Sequence, residues 1–275
     1  MSTPRNLPIS RGPRINVAAT DVAPVGRMLL YESRARIVGR LRNPAFAVLS
    51  IGLPVMFFAL FNAIFGSQRA APGVTVAEAI MVSYATYAVG NVMVYNFGIG
   101  LAADRGRKLD LLQRATPLPP LVAAAAQVLF AITFALAALL ILFAYASVVG
   151  GVRLGAGTWL DLVWRLLIGS FPLIGLGMAI GYGVGPNAAP ALANVIYLPM
   201  LFLSGVFVPI DQLPEGIRRV GELLPTYHYV QLASATLGIN REGTLTALAW
   251  LAAWTVVLFG LMVRLYRLDE SRKFS

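Results

Sequence analysis

The sequence predicts an all-α integral membrane protein. Six transmembrane helices are expected, with an N-terminal amphipathic interfacial helix and a re-entrant helical hairpin before the last span. Composition is the first observation: 58% of the 275 residues are hydrophobic and 12% are charged, against about 25% charged residues in soluble domains. The second is a series of apolar runs of about 20 residues, the length that a helix needs to cross a bilayer.

The third observation is an interrupted apolar run between residues 190 and 238. A segment of membrane length is followed within a few positions by Ser204, Gly205, Pro209 and Pro214. Irregular backbone is tolerated at membrane depth only where protein or a water-filled cavity satisfies its polar groups. Residues 209–238 are therefore predicted to form a re-entrant segment that lines a path.

The N-terminal region divides into a tail and a helix. Residues 1–23 are polar, rich in Pro, Ser and Arg, and lack the apolar region of a signal peptide, so we expect a flexible cytoplasmic tail. Residues 25–42 combine apolar positions with several arginines, which predicts an amphipathic helix on anionic lipid headgroups. The alternative is a basic segment without regular structure. The arginines are Arg27, Arg34, Arg36, Arg40 and Arg42.

Hydropathy places the spans. They are predicted at residues 44–65, 78–103, 121–149, 159–184, 189–208 and 245–266, within a transmembrane domain of residues 24–275. Residues 66–75 are expected to form an outer loop. Gly177, Gly181 and Gly185 recur at every fourth position, which predicts a face against which another helix packs closely.

Basic residues set the orientation. Lys and Arg concentrate in residues 5–42, 104–118 and 264–273, which the span boundaries place on one side of the membrane. By the positive-inside rule this side is the cytoplasm, so we expect a multi-pass protein of the cell membrane with both termini cytoplasmic. The net charge of +10 is attributed to topology, and not to nucleic-acid binding.

A polar stripe interrupts the second span. Tyr84, Tyr87, Asn91 and Tyr95 are three or four residues apart, so a helix places them on one face. This face is not expected to contact lipid. Two interpretations stay open: hydrogen bonding between helices, or the lining of a translocation path. The remaining candidate path residues lie in the fifth span and are Asn194, Tyr197 and Ser204.

Residues 104–118 are too polar and too short to span a membrane. A short helix is expected there, with Asp104 and Asp110 near its N-terminus and Arg114 near its end, as the helix dipole favours. The alternative is a solvated loop that serves only as a topology signal. The charged residues of this segment are Asp104, Arg105, Arg107, Lys108, Asp110 and Arg114.

Several kinds of chemistry are missing from the sequence. No Gly-rich Lys-Ser/Thr loop is present, so the chain is not expected to hydrolyse ATP alone. His228 is the sole histidine and there is no cysteine, so no metal site is expected; His228 is placed at the membrane surface beside Tyr227 and Tyr229.

Glu78 and Asp161 lie near span ends, which disfavours a proton relay. No pair of catalytic side chains falls inside a span, so an intramembrane enzyme is disfavoured and no catalytic residue is assigned.

The proline-rich stretch resembles the signature of ABC-2 type transporter permeases. The matching positions are Leu203-Ser204-Gly205 with Phe207 and Pro209, Leu213-Pro214, and Leu224-Pro225-Thr226 with His228. Residues 104–118 resemble the family's cytoplasmic loop between spans two and three, which implies that the six charged residues of this segment are candidates for coupling the subunit to its ATPase. The resemblance implies a six-helix subunit that works as a homo- or heterodimer with cytosolic ATP-binding cassette subunits, which bind ATP and Mg. Gly205, Pro209, Pro214 and Pro225, which break the helix in this stretch, are predicted to form the re-entrant gate.

The expected function is that of a transport subunit and not of an enzyme. The resemblance implies export driven by a partner ATPase, and the apolar and aromatic spans favour a hydrophobic or amphiphilic cargo such as a drug or a lipid. The expected partners are the cassette ATPase, a second permease subunit and membrane lipid, with no nucleic acid. The alternative is an ion-coupled secondary carrier, or a channel-like membrane protein, without an ATPase partner.

Overall fold

A computed structural model describes residues 24–41, 51–109 and 119–273. These residues fold into helices and one short antiparallel hairpin, with β1 at Arg69–Ala71 and β2 at Val74–Thr75. The helices are α1 Val25–Leu41, α2 Leu53–Phe65, α3 Val76–Tyr95, α4 Leu101–Gly106, α5 Pro120–Val148, α6 Ala156–Gly169, α7 Phe171–Gly183, α8 Ala189–Leu203, α9 Glu215–Gly221, α10 Pro225–Ser234 and α11 Thr244–Lys273. A π-helical segment, Asn96–Gly100, joins α3 to α4, and 3₁₀ turns lie at Ile210–Gln212 and Ala235–Leu237. The predicted tail, residues 1–23, lies outside the described residues.

Helices of membrane length are present. Among the described residues, three stretches are long and apolar enough to cross a membrane: Leu121–Val148, Ala156–Gly183 and Thr244–Ser271. α2 and α8 are shorter apolar helices. Leu140 on α5 is 71% exposed and Val256 on α11 is 74% exposed, so these helices present apolar surface that water would not solvate. The chain is an all-α membrane protein.

The second predicted span is longer than expected at both ends. Its helix begins at Val76 with a capping box, in which the Thr75 N–H donates to Glu78 Oε2 at 2.8 Å and the Glu78 N–H donates to Thr75 Oγ1 at 3.2 Å. It continues through the π-helical segment to Gly106. Asp104 and Arg105 therefore lie on the last turn of this helix. The prediction that Asp104 lies near the N-terminus of a separate loop helix is wrong.

The fourth predicted span is divided at Ser170 into α6 and α7. Pro172 follows, and because proline has no N–H, it fits the first turn of α7 and not the interior of one long helix. Gly177 and Gly181 of α7 pack against α3, the π-helical segment and α4: a Cβ added at Gly177 would lie 2.8 Å from the Val94 carbonyl oxygen. An added Cβ at Gly185 would meet nothing within 4 Å, so Gly185 does not contribute to this packing face.

The fifth predicted span stops early. α8 ends at Leu203, and Gly205 adopts φ +85°, a left-handed conformation that other residues rarely take. Phe207 then packs on Tyr87 of α3, with 5.1 Å between ring centroids. The chain thus leaves α8 near the level of Tyr84 of α3. Tyr84 lies about eight residues after the start of α3, which corresponds to about 12 Å along the axis of α3. Short elements occupy the remaining space, with Gly221 of α9 against the Leu203 carbonyl.

The bundle has two distinguishable ends. At the hairpin end, named for β1 and β2, the Asn62 side chain donates to the Gly150 carbonyl at 3.2 Å and so joins the end of α2 to the turn after α5. The expected loop at residues 66–75 contains this hairpin. At the charged end, Arg36 of α1 lies 3.8 Å from Asp104, and Arg105 pairs with Asp269 of α11. The first and last described helices therefore both contact the end of α4 at the charged end.

Candidate functional site

The polar stripe of α3 faces the protein interior. Tyr84 is 3% exposed and Asn91 is 2% exposed. The Tyr84 ring stacks on Phe57 and Phe61 of α2, with centroid distances of 6.2 and 6.0 Å. Phe207 contacts the rings of Phe57, Tyr84 and Tyr87. We refer to Phe57, Phe61, Tyr84, Tyr87 and Phe207 as the aromatic cluster.

A second polar group lies further along α3, where this helix packs against α8. Tyr95 donates its hydroxyl hydrogen to Asn194 Oδ1 at 2.5 Å, and its ring meets the Tyr197 ring edge-on at 6.2 Å. Tyr197 is fully buried, with its hydroxyl against Gly90, where any side chain would collide with it. The Tyr197 hydroxyl and the Asn91 side-chain oxygen have no hydrogen-bond partner among the described residues. The buried Asn91 side chain of α3 and the buried Tyr197 side chain of α8 therefore hold spare hydrogen-bonding capacity.

Ser204 has a different environment from the other candidate path residues. It is fully buried, and its hydroxyl contacts the Met200 carbonyl and the Thr226 hydroxyl. Thr226 in turn donates to the Met200 carbonyl at 3.1 Å. The Ser204 side chain thus fastens the end of α8 to the start of α10.

The four predicted gate residues all stand at element boundaries. Gly205 makes the left-handed turn after α8. Pro209 precedes the 3₁₀ turn, Pro214 precedes α9, and Pro225 is the first residue of α10. Proline is favoured at these positions because it has no N–H and its φ is already near the helical value. These local signals were readable from the sequence.

His228, which is predicted to lie at the membrane surface beside Tyr227 and Tyr229, is buried within the protein. It is 2% exposed, and its Nδ1 lies 2.9 Å from Glu242 Oε1. Its ring stacks on Trp250 at 4.9 Å with an interplanar angle of 5°, and it meets Tyr227 edge-on at 5.3 Å. The sequence interpretation missed Glu242 and Trp250 as its partners. The one signal in the sequence was the position of Glu242, an acidic residue just before the last apolar run.

The segment between α10 and α11 is also held by polar contacts. The Arg241 N–H donates to Gln231 Oε1 at 2.7 Å, and the Arg241 guanidinium pairs with Asp211. Trp254 donates from Nε1 to the Leu223 carbonyl at 3.0 Å. These contacts join the short elements after α8 to the beginning of α11.

The candidate coupling residues divide into two groups. Asp104 and Arg105 are occupied by contacts within the chain, and Arg105 also donates to the Gly181 carbonyl. Arg107 and Lys108 are exposed at the charged end, and Lys108 adopts φ +56° where the helix stops. Asp110 and Arg114 lie outside the described residues.

Two residues at the charged end, Arg36 and Asp269, were not identified from the sequence as functional candidates. Arg36 was assigned to lipid, but it points into the protein, where it donates to Glu32 at 2.9 Å and to Gln127 of α5. Asp269 was not singled out at all. It is acidic within a basic C-terminal segment, which is the only sequence signal that could have marked it.

Comparison with known proteins gives a consistent result. A family model described as ABC-2 type transporter matches residues 32–238. A protein of Bacillus subtilis (strain 168), named as a candidate transport permease, YvfS, is 24% identical over 203 residues, which cover 74% of this chain and 82% of that protein. Nodulation protein J of Rhizobium leguminosarum bv. viciae is 33% identical over 90 residues, which cover 30% of this chain and 34% of that protein.

The family match includes the aromatic cluster, the breaks after α8, and the end of α4. It spans most of the chain, and it agrees with the apolar helices of membrane length. The chain therefore belongs to the ABC-2 type transporter family and is a membrane subunit of a transporter.

Proposed function

We propose that this chain is the membrane-spanning half of an exporter that is driven by ATP hydrolysed on separate ATP-binding cassette subunits. The cargo is hydrophobic or amphiphilic, such as a drug or a lipid. The observation that carries the proposal is the character of the interior: among the described residues, the buried polar side chains include no carboxylate, lysine or arginine. The interior formed by the described residues thus offers no fully buried charge for a polyanion and no acidic relay for an ion. ATP and Mg bind the partner subunits, because this sequence has no phosphate-binding loop.

The path runs along α3, between α2 and α8. There the aromatic cluster provides flat apolar surface, and Asn91 and Tyr197 provide uncharged hydrogen-bonding groups without protein partners among the described residues. An amphiphile needs both kinds of contact. In the described conformation the aromatic cluster packs on itself, so the path opens when Phe207 and the segment after α8 move away from α3.

The membrane arrangement follows from the same geometry. Six spans cross the cell membrane with both termini in the cytoplasm, and residues 209–238 re-enter the outer leaflet. One observation supports re-entry. α8 ends about 12 Å deeper in the bundle than the level at which α3 begins, and this difference leaves room for α9 and α10 within the apolar layer. A second permease subunit, identical or different, completes the transporter.

The charged end faces the cassette subunits. Residues 104–118 form the coupling segment, of which Arg107 and Lys108 are exposed where the helix stops. Asp110 and Arg114 continue the segment. Closure of the cassettes on ATP pushes this segment, and the bundle responds by changing between two packed arrangements.

The test compares the chain alone with the chain purified from its native membrane together with its bound subunits. The isolated chain is expected to hydrolyse no ATP, whereas the copurified complex is expected to hydrolyse ATP faster when amphiphilic dyes or lysolipids are added. Robust hydrolysis by the isolated, contaminant-free chain would overturn the proposal. So would dye transport driven by an ion gradient in liposomes that contain this chain and no ATPase.

Asn91→Leu tests the path itself. This change removes the buried side-chain oxygen that has no partner among the described residues, so transport is expected to fall while assembly with the ATPase stays intact. Thr133→Leu is the matched control, because Thr133 is exposed on α5, away from α8. If transport survives Asn91→Leu, or if the complex falls apart, the stripe is a packing face and not a path.

An ion-coupled carrier is the second candidate, and one observation favours it. The buried His228 pairs with the carboxylate of Glu242, whose side chain is 14% exposed, and such a pair can exchange a proton. Glu242 precedes the first residue of α11, however, so the pair lies near an end of the bundle and not at the bilayer centre, where ion-coupled carriers keep such residues. A proton gradient that drives dye transport without ATP, and fails to do so in Glu242→Gln, would establish this candidate instead.

A further inference from the structure

Two consecutive residues at the charged end contact helices from opposite ends of the chain. Asp104 lies 3.8 Å from the Arg36 guanidinium on α1, and Arg105 pairs with Asp269 on α11. Both residues belong to the last turn of α4, immediately before the exposed Arg107 and Lys108. The point at which the coupling segment leaves the bundle is thus fastened to two other helices.

Arg105 contacts several groups at once. Its guanidinium pairs with the Asp269 carboxylate, donates to the Gly181 carbonyl at the end of α7, and lies 5.5 Å from the centroid of the Tyr182 ring. The Tyr182 ring meets Tyr266 of α11 edge-on at 5.2 Å. One side chain therefore joins the ends of α4, α7 and α11.

The pair is shielded from water. The Arg105 and Asp269 side chains are each 16% exposed. Water and salt weaken such a pair less than an exposed one, and the planar guanidinium can engage a carboxylate and a carbonyl at once, which a lysine ammonium does with poorer geometry. The link is thus suited to persist while the helices move.

We infer that Arg105 and Asp269 are positioning residues that make the C-terminal part of α11 move together with the coupling segment. The inference rests on the proposed function, because it assumes that a cassette ATPase pushes residues 104–118. Arg105 itself does not contact the ATPase. It converts displacement of the coupling segment into displacement of α11, which packs along α7 and carries Trp250 and Trp254 at its other end.

The first test measures transport per ATP hydrolysed by the complex of this chain with its copurified cassette ATPase. Arg105→Lys and Asp269→Asn are expected to assemble normally with the ATPase. Transport per ATP is expected to fall about fivefold or more, as for the loss of a typical coupling free energy. The charge exchange Arg105→Asp with Asp269→Arg is expected to recover part of the loss. Arg267→Ala is the matched control, because Arg267 is exposed on α11 two residues from Asp269.

The second test does not depend on how well these variants fold. Because the sequence has no cysteine, spin labels can be placed at Arg107→Cys and Leu268→Cys, both exposed positions beside the link. In the otherwise unaltered complex, the distance between labels is expected to stay the same with and without ATP. A change in that distance on ATP binding overturns the inference, since α4 and α11 would then move separately.

The outcomes separate this inference from the proposed function. If the unaltered chain binds no ATPase, the proposed function fails. If the unaltered complex couples ATP to transport, but Arg105→Lys and Asp269→Asn transport as much per ATP as Arg267→Ala, only the positioning role fails.

Discussion

Replacing Gly177 by alanine is expected to force α7 away from the helix it packs against. A Cβ at this position would lie 2.8 Å from the Val94 carbonyl oxygen, 3.0 Å from Phe97 Cβ and 3.1 Å from the Met93 carbonyl oxygen. Two of these three atoms belong to the backbone, so a change of rotamer cannot relieve the contact. Ordinary contact begins at 3.4 Å, and the two helices must therefore separate by about 0.6 Å.

The expected loss in the free energy of unfolding of Gly177→Ala follows from two opposing effects. Overpacking a close interface costs about 1–3 kcal/mol, and backbone contacts place Gly177→Ala in the upper part of that range. The higher helix propensity of alanine offsets up to about 1 kcal/mol. The net loss in the free energy of unfolding is then about 1–2 kcal/mol, which corresponds to a fall in melting temperature of about 2–8 °C for a chain of this size.

The measurement is thermal melting of the detergent-purified protein, followed by size-exclusion chromatography of what stays folded. Gly183→Ala is the matched control, because Gly183 is also in α7 and its added Cβ would meet Leu265 Cδ1 at an ordinary 3.5 Å. The control is expected to change the free energy of unfolding by less than about 0.5 kcal/mol. Equal melting temperatures for the two variants would refute the close-packing argument.

Two further predictions concern the proposed coupling segment and the re-entrant segment. Reversing both charges, with Asp110→Lys and Arg114→Glu, is expected to reduce substrate-stimulated ATPase activity of the complex or to weaken cassette binding; unchanged coupling would leave residues 104–118 as a topology signal. A single cysteine at Glu222 is expected to react with a membrane-impermeant maleimide from outside, whereas cysteines at Val220 and Leu223 react poorly. Val220 and Leu223 are 53% and 57% exposed, so lipid has to shield them, and uniform labelling would show a loop outside the membrane.

The breaks in the chain could be read from the sequence because they depend on local chemistry. Gly205 takes a left-handed φ, and Pro209, Pro214 and Pro225 each precede or begin a helical element, as expected from the missing N–H of proline and the missing Cβ of glycine. The resemblance to the ABC-2 type permeases, which rested on these positions, is confirmed by the family match. The capping box at Thr75 and Glu78 was equally local, but it was overlooked, and the start of α3 was placed too late.

The sequence by itself determined the class of this protein, because composition and the lengths of apolar runs depend on no contact between distant residues. The tertiary structure decided the partners of the polar side chains. Arg105 is 164 residues from Asp269, and the segment 104–118 looked like an exposed charged loop until folding brought the ends of α4 and α11 together. His228 likewise became buried only when Trp250 of the last helix stacked on it. Periodicity shows which face a residue occupies on its own helix, whereas the helix that covers this face is set by packing across the whole bundle.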